Sequence, residues 1–170
     1  MSGLTPLGAV HTAISLVALF CGFYALARDH SISPGKRLGQ VYIWATVLTC
    51  LTGFGIFQHG GFGKPHALGV ITLLVLAGLA LPGTRWIGAR WRYVLATGYT
   101  LTLFFHMVPG VTETFTRLPL GAPVFSSPDD PALQKVVGVV FLAFAAVMAL
   151  QVRGLWRAKR TNNLVGGALG

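Results

Sequence analysis

Histidine is the residue in this chain whose side chain most plainly invites chemistry, because imidazole binds metals and changes charge near neutral pH. There are five: His11, His30, His59, His66 and His106. His11 stands about five residues into an apolar run, and His106 about three residues before Pro109-Gly110. His59 and His66 flank one glycine-rich turn, and Glu113 follows His106 by seven residues. That spacing puts Glu113 on the His106 face if a helix continues through Pro109.

Three chemistries suit such a set. The leading one is a b-type haem for electron transfer, held between His11 and His106, since two axial imidazoles must come from facing helices at one height. Gly8 and Ser15 would leave room for the macrocycle, and Lys64 and Arg117 would pair with its propionates. The second is a non-haem copper, zinc or iron site built from His11, His66 and His106 with Glu113 or His59, because imidazole suits all three metals and carboxylate suits iron. The third needs no cofactor: the histidines bond to Thr and Tyr partners in a structural subunit or a small transporter. No Ser-His-Asp arrangement can be assembled at one depth, so no catalytic residue is assigned.

These residues must be positioned by helices in a bilayer. Charged residues make up 10% of the chain and hydrophobic residues 54%, against roughly 25% charged in average soluble domains. No Asp, Glu, Lys or Arg occurs in 1–27, 38–63, 65–84, 93–112 or 136–152. A helix needs about 20 apolar residues to cross the hydrocarbon, with a range of roughly 17–25. The reading is therefore an all-α integral membrane bundle of about five transmembrane helices, near 6–28, 37–58, 65–82, 90–109 and 131–153. A loop over 111–130 and a flexible tail over 161–170 complete it. Met1 to Pro6 carries no basic side chain, which argues for a retained first helix over a cleaved signal.

The net charge of +9 follows topology. With the N-terminus outside and the C-terminus inside, ten basic residues fall on the inner side: Arg28, Lys36, Arg37, Arg85, Arg90, Arg92, Arg153, Arg157, Lys159 and Arg160. Three remain outside: Lys64, Arg117 and Lys135. This split satisfies the positive-inside rule, and Trp86, Trp91 and Trp156 beside the basic clusters fit an interfacial belt. The same orientation gathers four histidines outside and leaves only His30 inside. The expected partners are the lipid bilayer, a quinone or redox protein if haem is carried, and further copies or subunits of a larger complex. Nucleic acid is not among them.

Helix faces say what lies inside. Gly8, His11, Ser15, Ala18, Gly22 and Ala25 form one small or polar stripe, opposite Val10, Ile14, Val17 and Phe20. Small residues line helix contacts in membranes and bulky ones face lipid, so His11 points into the bundle. Gly39, Tyr42, Thr46, Thr49 and Gly53 form a second stripe, and Tyr99, Thr102 and His106 a third. Cys21 and Cys50 fall at different depths, which argues against a disulfide and for thiols acting as small core side chains.

Early His11, the run Gly35 to Tyr42 opening the second helix, Pro65-His66, and Phe105 to Gly110 together resemble small bacterial polytopic membrane proteins to which no activity is assigned. The resemblance spans roughly 8–119 and implies a compact bundle in a bacterial inner membrane. The histidine-bearing helices are also loosely similar to two-haem b-type membrane cytochromes. The chain lacks their second histidine pair, which leaves room for one haem at most.

Overall fold

The computed structural model describes residues 5–57, 61–81 and 87–167, with side chains as far as 161. The described residues form helices and no strand. Helix α1 spans Pro6–Asp29. The Thr5 hydroxyl accepts the Gly8 N–H at 3.1 Å, and Pro6 occupies the first turn, where its missing N–H costs nothing. It ends at His30, which takes a left-handed conformation (φ 56°) and returns its N–H to Leu26. The histidine that stands apart from the others is thus a helix cap.

Helix α2 spans Arg37–Gly53 and α3 spans Lys64–Ala80. A short 3₁₀ turn, Gly88–Arg90, leads into α4, Trp91–Arg117. Helix α5 spans Pro131–Gly167, opened by an Asp130 carboxylate that accepts the Ala132 N–H at 2.8 Å.

Three boundaries differ from the sequence expectation. Helix α2 stops at Gly53 rather than 58, because Gly53 and Gly55 weaken the helix and its end tightens into i→i+3 bonds from Gly55 to Thr52 and from Ile56 to Gly53. Helix α4 runs through Pro109 to Arg117, so the connecting loop begins at 118. Local side-chain bonds support the passage: Thr112 donates to the Val108 carbonyl and Thr116 to the Thr112 carbonyl. Helix α5 continues past 153 to Gly167, since Leu, Arg, Ala and Lys after Arg153 are strong helix formers. His59, Arg85 and Trp86 lie outside the described residues.

Among the described residues, three helical segments are long and apolar enough to cross a membrane: Pro6–Asp29, Gly88–Arg117 and Pro131–Thr161. Helices α2 and α3 have 17 residues each, about 25 Å at 1.5 Å per residue. Helices α1 to α4 close into a ring in which α1 packs on α2, α2 on α3, α3 on α4 and α4 back on α1. Helix α5 lies outside against α4, and Phe144 also reaches Phe23 of α1 at 6.1 Å.

The interior is small and polar, as the stripes predict. Gly8, Ala18, Gly22 and Ala25 of α1 are buried, as are Gly39, Tyr42, Thr46 and Thr49 of α2 and Tyr99, Thr102 and His106 of α4. A Cβ on Gly22 would come within 2.7 Å of Leu103 and 3.0 Å of Tyr42, so only glycine lets α1 sit this close. Bulky apolar residues stand outside: Phe20 is 71% exposed, and Trp44 and Leu74 are each 67% exposed. Such inversion is the pattern of a bundle whose solvent is hydrocarbon. Cys21 and Cys50 are buried free thiols.

Candidate functional site

The site is built on one face of α2. Tyr42, Thr46, Thr49 and Thr52 recur at spacings of three and four, and each threonine hydroxyl donates to a backbone carbonyl one turn back. Thr46 donates to Tyr42, Thr49 to Ala45 and Thr52 to Leu48, each at 2.8 Å. A hydroxyl committed in this way still offers its oxygen as an acceptor.

Two histidines use those oxygens. His106 of α4 meets Thr46 through Nε2 at 3.1 Å, and His11 of α1 meets Thr52 through Nδ1 at 3.1 Å. With both hydroxyl protons on the backbone, the ring nitrogens are the donors. His106 is then fixed as the Nε2–H tautomer, and His11 as the Nδ1–H tautomer. The other nitrogen of His106, Nδ1, has no hydrogen-bond partner among the described residues, whereas the His11 ring also interacts with the backbone of Thr49.

Packing holds both rings in place. His106 is buried, and the Tyr42 ring stands edge-on to it at 6.2 Å. The Tyr42 hydroxyl in turn bonds Thr102 at 2.8 Å. Because Thr102 already donates to the Tyr99 carbonyl, Tyr42 is the donor. His11 is half-buried and rests on bare backbone: a Cβ on Gly53 would lie 3.2 Å from its Cε1. His11 and His106 are near enough to interact electrostatically, and Glu113 is within such range of His11. From Tyr42 to Thr52 the track covers about 15 Å along α2.

The other residues singled out in the sequence lie apart from this track. His66 of α3 is buried among Phe57 at 5.1 Å, Phe62 at 5.3 Å and Phe54 at 6.5 Å. Its Nδ1 accepts the Gly63 N–H at 3.2 Å, and its Nε2 is buried with no partner among the described residues. Lys64 pairs with Asp129, and Arg117 with Glu113 one turn away. Among the described residues no three His, Cys, Asp or Glu side chains gather where they would hold one metal ion.

A haem places different demands on the two imidazoles. His11 would hold the group with a ring whose Nδ1 is anchored on Thr52, as ligating imidazoles are. Ligation through Nε2 of His106 would require that ring to leave Thr46. Lys64 and Arg117, expected at the propionates, already face carboxylates.

Sequence reasoning placed His11, Thr46, Thr49, Tyr42 and His106 on inward faces and passed over Thr52. Its signal was present, since Thr46, Thr49 and Thr52 repeat every three residues. The phenylalanines around His66 carry no periodic signal, because they come from the end of α2 and the following turn. Comparison with protein-family models, with curated proteins and with solved structures gave no match.

Proposed function

We propose that the chain is a multi-pass protein of a bacterial inner membrane in which His11 and His106 form the proton-accepting track of a small transporter. The reading takes five crossings with the N-terminus outside, and the charge distribution supports it, because ten of the 13 basic residues then lie inside. The observation that carries it is the pairing of each imidazole with an α2 threonine at 3.1 Å. That bond fixes one ring nitrogen of each as a donor, and in His106 the other is open to a proton. An ionisable group held in a bundle interior is costly unless it works, and imidazole is the side chain suited to exchanging protons at neutral pH. Glu113, beyond His11, is the group through which protons enter from the outer surface.

The test is proton flux. Purified protein in liposomes carrying an internal pH dye should dissipate an imposed pH gradient faster than protein-free liposomes do. His106→Gln should slow the flux to the protein-free rate. Wild-type flux no faster than that of empty liposomes would overturn the reading.

Haem binding is the second reading, and the anchoring of the His11 Nδ1 on Thr52 favours it. A Soret band in purified protein that shifts with dithionite and disappears in His11→Ala would establish it. A colourless preparation would end it.

A further inference from the structure

At the other end of the bundle from His11 and His106, an open groove of about 1080 Å³ runs between α4 and α5. Its wall includes Val94, Met148 and Val152, and its end is ringed by Arg90, Arg153, Lys159 and Arg160. Arg90 comes from the turn before α4 and the other three from α5, so two elements converge on one positive mouth. Trp156, 54% exposed, stands in the same mouth beneath the Arg160 guanidinium at 5.7 Å.

Among the described residues these cations have no carboxylate to answer them. The chain has four acidic residues, and all four are engaged elsewhere. Asp29 pairs with Arg28 and Lys36, Glu113 with Arg117, and Asp129 with Lys64, while Asp130 caps α5. Among the described residues Arg90, Arg153 and Lys159 make no ion pair. Four positive side chains converging without counter-charge repel one another, and an anion between them removes that repulsion.

We infer that this groove binds one anionic phospholipid, its phosphate among Arg90, Arg153, Lys159 and Arg160 and its acyl chain along Val94, Met148 and Val152. The inference rests on the membrane reading above. A soluble anion would satisfy the mouth and leave the apolar wall bare. A neutral phospholipid would cover the wall and leave the mouth uncompensated. Only an anionic lipid answers both, and basic pockets between membrane helices are the usual seats of such headgroups. Trp156 gives the headgroup level, where indole rings prefer to lie.

The test uses the full chain purified in detergent and observed by native mass spectrometry with equimolar phosphatidylglycerol and phosphatidylcholine. One phosphatidylglycerol should be retained in preference to phosphatidylcholine. The triple variant R153Q/K159Q/R160Q alters exposed helix positions and should keep its helical circular dichroism, yet lose that preference by roughly tenfold or more. Val152→Trp, which fills the wall, should lose the bound lipid with all four charges intact. Equal retention of the two lipids by the wild type, or undiminished preference in the triple variant, would overturn the inference. So would a thermal stabilisation by inorganic phosphate equal to that by the lipid. Carbonate washing separates this failure from the broader one: release of the protein from membranes would defeat the membrane reading itself.

Discussion

Thr46 accepts the Nε2–H of His106 from α4, across the ring of helices, at 3.1 Å while giving its own proton to the Tyr42 carbonyl at 2.8 Å. The threonine therefore both steadies α2 and sets which imidazole nitrogen carries hydrogen. Thr46→Val keeps the shape and removes the acceptor, leaving a buried N–H that costs about 1–3 kcal/mol. Thr46→Ser should restore it. Reversible unfolding in bicelles reads the loss, and proton flux in liposomes should fall with Thr46→Val and hold with Thr46→Ser.

The second tie between α2 and α4 is the bond from Tyr42 to Thr102. Hydrogen bonds between membrane helices average about 0.6 kcal/mol, so Tyr42→Phe alone should cost about that much. Thr102→Val also removes the Tyr99 back-bond and should cost more. The double variant should fall short of the sum of the two by about 0.6 kcal/mol, measured by the same unfolding assay. Additive losses would mean that the two hydroxyls do not interact.

Gly53 gives His11 its seat. A branched residue there overlaps the ring, because even a Cβ would approach Cε1 to 3.2 Å. Gly53→Val should turn His11 away from Thr52 and cost about 1–3 kcal/mol as overpacking does. The diagnostic is nitrogen NMR of labelled histidine, in which the protonated Nδ1 signal of His11 should be lost while the protonated Nε2 signal of His106 stays.

His66 is expected to behave in the opposite sense. Its Nε2 is buried without a partner among the described residues, and an unsatisfied buried donor costs about 1–3 kcal/mol. His66→Phe removes that donor and preserves the ring stack with Phe57 and Phe62. The bond from Gly63 is also lost, but that glycine is exposed and water replaces the imidazole. The variant should melt at a higher temperature than the wild type, by scanning calorimetry. A lower melting temperature would show that the imidazole holds more than it strains.

The helices were legible because their signals are long-range and redundant. Uncharged runs mark five segments, and the Tyr42, Thr46 and Thr49 spacing marks the inward face of α2. Helix ends were less legible where one residue argued against its surroundings. Pro109 reads as a stop, but a 27-residue helix carries it through with Thr112 bonding beside it. Arg153 reads as a membrane exit, which is a statement about solvent and not about helix, so α5 continues. The site was legible by face and not by partner. Inward stripes gave His11 and His106, whereas which threonine each meets depends on how far the helices slide past each other. Sequence sets helix rotation through its apolar pattern and leaves that axial offset to close contacts such as Gly22 against Leu103.

Helix α5, with 37 residues, is about 55 Å long at 1.5 Å per residue, well beyond a hydrocarbon core of roughly 30 Å. Its last turns act as a geared shaft: one residue inserted after Arg153 would turn everything beyond it by about 100° and advance it about 1.5 Å. Trp156, Lys159 and Arg160 would swing away from Arg90, although no charge had been added or removed. The angular phase of that extension, as much as its composition, decides whether the two basic elements share one mouth.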